Sequence, residues 1–73
     1  MAKAKTNILP LASVERIIRS AGAKRVSETG SHALAEYLEG EGVRITRRAI
    51  ELAKHAKRVT VTGEDIKQAL KEL

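Results

Sequence analysis

The sequence predicts an all-α fold whose segments run short helix, basic loop, long helix, basic loop, short helix. Three observations carry that reading. Apolar residues recur at steps of three and four, the spacing of a helix face. Two look-alike basic segments, Lys24-Arg25-Val26-Ser27 and Lys57-Arg58-Val59-Thr60-Val61-Thr62, interrupt the pattern. Each holds β-branched residues that favour extended backbone and closes on a hydroxyl residue able to cap the next helix, so each reads as a strap between helices.

Residues 1–7 read as a flexible basic tail and residues 8–73 as one folded domain. Pro10 sits where an N1 proline belongs, and Leu11, Val14, Ile17, Ile18 and Ala21 follow on one face before Gly22 supplies a C-terminal stop. Arg16 and Arg19 lie on the polar side of this first helix. After the first strap, Ser27 can cap a second helix along which Leu34, Leu38, Glu41, Ile45, Ala49, Leu52 and Ala56 form a nearly heptad seam. Continuous over 28–56, it is a rod of roughly 43 Å. Gly30, Gly40 and Gly42 weaken it, each by about 1 kcal/mol relative to Ala. One helix is nevertheless expected, because no capping residue stands between the two halves of the seam. Thr62-Gly63-Glu64-Asp65 then reads as a cap with acids in the first turn, opening a third helix with Ile66, Ala69, Leu70 and Leu73 on one face.

Composition narrows the function. A domain of this size buries only about 60 % of its unfolded surface. The chain has no Cys, no plausible metal cluster and one aromatic residue, Tyr37, which leaves oligomerisation as the staple. Two short helices cannot cover a long seam, so a second copy crossing antiparallel about a two-fold axis is the expected cover. That crossing sets the first strap of one chain beside the second strap of the other, giving two paired basic sites, and brings Arg16 and Arg19 of both chains to a third, central site. Fourteen Lys and Arg against nine acids give a net charge of +5 and a pI near 10. Cations in both straps and the first helix favour a bent duplex over a small substrate.

Other classes are excluded on the residues. His32 and His55 lie far apart on one helix, no carboxylate pair has metal-ligand spacing, and no Gly-rich phosphate loop is present, so no enzyme, cofactor or small-molecule substrate is expected. No segment approaches a membrane span or a signal peptide, which predicts a soluble, cytoplasmic chain. No helix offers Asn, Gln and Arg together for base edges, and stacking aromatics are lacking, which disfavours sequence-specific and RNA readings.

Several segments together are similar to an archaeal histone: Ile8-Leu9-Pro10-Leu11-Ala12, Arg16-Ile17-Ile18-Arg19, Ala21 to Ser27, Ala49 to Ala56 and Thr60 to Ile66. They cover essentially all but the tail, in the family's order and without gaps. The resemblance implies the histone fold, an obligate head-to-tail dimer, and stacking of further dimers that wraps DNA. By resemblance, Arg25 enters the minor groove, paired with Thr60 across the dimer. Arg16 and Arg19 meet phosphates at the centre, and Lys24 belongs with Arg25 in the first strap. Lys57 or Arg58 meets phosphate at the second strap, with Arg58 also resembling the arginine that clamps Asp65. Leu52, His55, Asp65 and Gln68 occupy dimer-to-dimer positions, and Gly22 allows close stacking. Ordinary core for Leu52 and a plain helix stop for Gly22 stay open. Val59 stands where many members carry lysine, and Gln68 where an apolar residue is common. Arg44, Arg47 and Arg48 read equally well as a solvated face paired with Glu41 and Glu51. The partner is a homodimer copy or a second histone; a histone-fold pairing module of a transcription-factor-like complex is the rival function.

Overall fold

The computed structural model describes residues 8–73; the tail predicted over residues 1–7 lies outside the described residues. Three helices follow in order: α1 (Leu11–Ser20), α2 (Glu28–His55) and α3 (Gly63–Lys71), with no strand among the described residues. The helices fall where the periodicity puts them, with small shifts at their ends: α1 closes at Ser20, leaving Ala21 as its C-cap, and α3 closes at Lys71, two residues before Leu73, with Glu72 as its C-cap. Pro10 is the N-cap of α1 rather than its first helical residue, its ψ of 132° being extended. α2 closes at His55, one residue before Ala56.

α2 runs unbroken through Gly40 and Gly42 over its 28 residues. The described residues nonetheless gather into two compact units that divide between Gly40 and Glu41. In the first, Val14 of α1 is buried together with Ser31 and Ala35 of α2. The Leu9 amide donates to Glu39 Oε2 at 2.8 Å, fixing the chain just before α1 against α2. In the second, the buried residues are Ala49 and Ala53 of α2 with Asp65 and Ala69 of α3. Arg48 ties these two helices, donating to Glu72 Oε1 at 2.6 Å and to Glu51 Oε1 at 2.9 Å.

The buried positions revise the seam. Leu34, Leu38, Glu41, Ile45 and Leu52 are half-buried, Ala49 is buried and Ala56 is exposed. Of the residues most deeply covered within one chain, Ser31, Ala35 and Ala53 lie beside that line and only Ala49 on it; Ser31 with Ala35, and Ala49 with Ala53, are each one helical turn apart. Small side chains there let a neighbouring helix pack closely, while the larger seam residues keep surface open. One valine and four alanines make up the buried apolar residues, and Ile17, Tyr37, Val43, Ile50 and Leu70 stay exposed. Such a core is thin for a lone domain and suits a chain completed by a second copy.

Candidate nucleic-acid interface

The first loop begins where α1 ends. Ala21 caps the helix, and Gly22 follows at φ +116°, with its amide donating to Arg19 O at 2.9 Å. That backbone conformation is open to glycine and strained for any other residue. Lys24 and Arg25 then project as exposed side chains with no ion-pair or hydrogen-bond partner among the described residues. Val26, next in the loop, is half-buried. Ser27 closes the loop by accepting the Gly30 amide on Oγ at 3.0 Å, the N-cap arrangement for α2. A Cβ on Gly30 would lie 3.2 Å from that Oγ, so the glycine makes room for the cap.

Arg19 is committed to the fold. Its Nε and Nη2 donate to Glu15 Oε2 at 3.0 and 2.8 Å, and its Nη1 donates to the Lys24 carbonyl at 2.9 Å. The side chain expected at a phosphate thus braces the loop that carries Lys24 and Arg25. Glu15 four residues before Arg19 was the sequence signal for this pair. Arg16, in contrast, lines a shallow hollow of about 420 Å³ with Ser13, Ile17 and Ser20 on the outer face of α1.

The second loop is built differently. Lys57 donates its amide to Lys54 O at 2.8 Å, and Arg58 donates its own to Ala53 O at 2.9 Å. These two bonds form the Schellman ending, with Lys57 at the left-handed position that glycine usually fills. Its φ is +62°, the only positive value at a non-glycine among the described residues. Arg58 then grips Asp65 with two parallel bonds, Nη1 to Oδ2 and Nη2 to Oδ1, both 2.9 Å, while Nη1 also donates to the Thr60 carbonyl at 3.0 Å. Asp65 receives the Thr62 amide at 2.8 Å and the Thr62 hydroxyl at 3.1 Å. Its own amide donates back to Thr62 Oγ1 at 3.3 Å, completing a capping box for α3.

Asp65 is buried, at 5 % exposure, and every nearby group favours its anion. The Arg58 guanidinium first, and the Thr62 amide after it, hold its carboxyl well below the usual carboxylate range. Asp65 in turn raises Arg58 above the ordinary arginine value. Arg58 therefore serves the loop before it can serve a phosphate. Lys57 remains as the cation of this loop without a partner among the described residues, and Thr60 is exposed beside it.

The positions expected between dimers are spread. Leu52 is half-buried, His55 is exposed, and Gln68 donates to Glu72 Oε2 at 3.4 Å. Asp65 already accepts four hydrogen bonds from Arg58 and Thr62, so a His55 from a neighbouring dimer would have to share its carboxylate. Arg44 pairs with Glu41 at 2.7 Å, which together with the Arg48 bonds makes the central arginines a paired helix face, leaving Arg47 outside those pairs. Arg48 in particular is raised by Glu72 and then Glu51, and Glu72 is lowered by Arg48 in return. The Arg48–Glu72 link joins residues 24 apart, which no local spacing announces.

No helix among the described residues is long and apolar enough to cross a membrane. The chain matches, over residues 7–70, the family model described as histone-like transcription factor (CBF/NF-Y) and archaeal histone. Among curated relatives it is 51 % identical over 63 residues to one of the subunits of archaeal histone HAN1 from Thermococcus zilligii, covering 86 % of this chain and 94 % of the relative. It is equally similar, at 51 % over 63 residues with the same coverage, to probable archaeal histone 3 of Methanocaldococcus jannaschii.

Proposed function

This chain belongs to the family of histone-like transcription factors and archaeal histones, and we propose that it binds and bends double-stranded DNA as a dimer, compacting the chromosome without strong sequence specificity. The observation that carries the reading is the first loop. Lys24 and Arg25 stand exposed, with no side-chain partner among the described residues, on a backbone fixed at both ends, by Arg19 and by the Ser27 cap. Two cations held rigidly beside a helix N-terminus suit a phosphate chain, because that end of the helix itself favours anions.

In the head-to-tail dimer, the first loop of one chain meets the second loop of its partner, so Arg25 works beside Thr60 and Lys57 of the partner's loop. Arg16 supplies the central phosphate contact. Arg19 and Arg58 hold the loops in shape. Leu52, His55 and Gln68 lie where dimer meets dimer. Both named relatives being archaeal histones favours packaging over the transcription-factor-like pairing module. Catalysis has no part in this reading.

The test is nuclease digestion of long DNA saturated with the protein, with sizing of the free protein alongside. A ladder of protected fragments is expected, its increment reporting the base pairs covered by each added dimer. A stable dimer that gives no protection would overturn the packaging reading. Affinity should also fall by about 10³ to 10⁵ between 50 and 200 mM salt if 6 to 10 phosphates are neutralised.

A further inference from the structure

Val59 is the most exposed large apolar side chain among the described residues, at 99 %. Other strongly exposed ones, Ile8 and Leu73, lie at the ends of the described chain. Val59 is in the middle of a loop that is held on both sides of it. Arg58 is fixed at its amide by Ala53 O and at its guanidinium by Asp65, and the same guanidinium holds the Thr60 carbonyl. A loop free to move could turn one valine inward; this one presents it outward. Its neighbours are the cation of Lys57 and the exposed hydroxyl of Thr60.

We infer that Val59 is a non-ionic DNA contact, laid against deoxyribose carbons at the edge of the groove that Lys57 and Thr60 approach. This rests on the reading of the second loop as DNA-facing. Sugar rings give a duplex its apolar walls, and a short, branched side chain fits against a wall better than it parts a base step, the task for which longer apolar wedges are used. Covering Val59 removes apolar surface from water without releasing a counterion. The contact therefore adds affinity that salt does not remove, where each cationic contact adds affinity that it does. Arg58 being committed to Asp65, the second loop binds through one cation and one apolar tip.

Wild type, Val59→Ser and Val59→Lys, as full chains, test this by their affinity for a random duplex across a salt series, with sizing of each free protein. Val59→Ser is expected to weaken binding about three- to tenfold by an equal factor at every salt concentration, leaving the slope of log affinity against log salt unchanged. Val59→Lys should steepen that slope by about 2 per dimer, one new phosphate contact from each chain. Unchanged affinity of Val59→Ser would overturn the inference, and so would its failure to dimerise, which would make Val59 a contact between the two chains. Wild type without duplex affinity would sink the DNA reading itself, an outcome distinct from either.

Discussion

The two basic loops look alike in sequence and differ in construction. The first reverses its chain at Gly22, whose φ of +116° is natural for glycine, and leaves Lys24 and Arg25 without a side-chain partner among the described residues. The second turns at Lys57, a side-chain-bearing residue at φ +62°, and commits its arginine to Asp65. The first loop thus offers two cations on a relaxed turn, and the second offers one cation on a strained turn with an apolar tip. Similar composition is thus built in two ways: cations left open to a ligand in one, a cation clamped into the fold in the other. Removing single parts separates the two.

Breaking the clamp should have the largest effect. Arg58→Ala leaves a buried Asp65 with only Thr62 beside it, and isolating one member of such a pair costs more than the pair contributes. Thermal unfolding should show a larger drop for Arg58→Ala than for Thr62→Ala, whose lost cap costs about 1 kcal/mol. If the arginine were chiefly a phosphate ligand, its removal would leave the melting midpoint near wild type. The same clamp sets an acid dependence. Asp65 titrates lower in the fold than in the unfolded chain, where it lies near about 3.9. Its contribution is complete above the unfolded value and is lost as pH falls through the depressed folded one. Stability of Asp65→Asn should accordingly decline less than wild type between neutral pH and the acid range.

Gly22→Ala comes next. No atom lies within 4 Å of where its Cβ would stand, so any cost is in the backbone alone. At φ +116° that cost is about 1 to 3 kcal/mol, read as a lower unfolding midpoint of the free dimer. A stability equal to wild type would show that the turn relaxes, and the contrast between the two loops would lose its first half.

How much of this was legible beforehand depends on the range of the interaction. The helices were readable to within two residues because periodicity and caps are local: Ser27 and Thr62 announce α2 and α3, while the end of α3, with no glycine to mark it, falls two residues before Leu73. The Arg58–Asp65 clamp was expected through the family resemblance, and opposite charges on the two sides of a capping residue give it a local physical basis. Leu9 with Glu39, and Arg48 with Glu72, were not, since 30 and 24 residues separate them and no spacing rule links them. Arg16 and Arg19 looked equivalent on one helix until Glu15 claimed the second. Lys57 was the hardest to read. A left-handed helix ending is signalled by glycine, and lysine there gives no signal, so the residue registered only as a cation.

Arg25→Ala probes the first loop through its ligand. The side chain is exposed and holds no partner among the described residues, so the dimer should persist while affinity falls for random and selected duplexes alike. If one phosphate contact is lost from each chain, the salt slope should become shallower by about 2 per dimer. A loss confined to particular sequences would instead assign Arg25 to base reading and overturn this role.

Lys57→Gly is the smallest change and the sharpest, because the two loops predict opposite signs for one substitution. A non-glycine residue in the left-handed region costs roughly 1 kcal/mol, and replacing it with glycine recovers part of that while loosening the unfolded chain. The variant should therefore be slightly more stable than wild type, by a few tenths of a kcal/mol up to about 1, in denaturant unfolding of the dimer. Its duplex affinity should fall, with a salt slope shallower by about 2, because the second loop's unpaired cation is gone from both chains. Stability gained together with affinity lost is the signature of strain kept for binding. Stability gained with affinity unchanged would leave the strain without a use, and the second loop would then bind through Val59 and Thr60 alone.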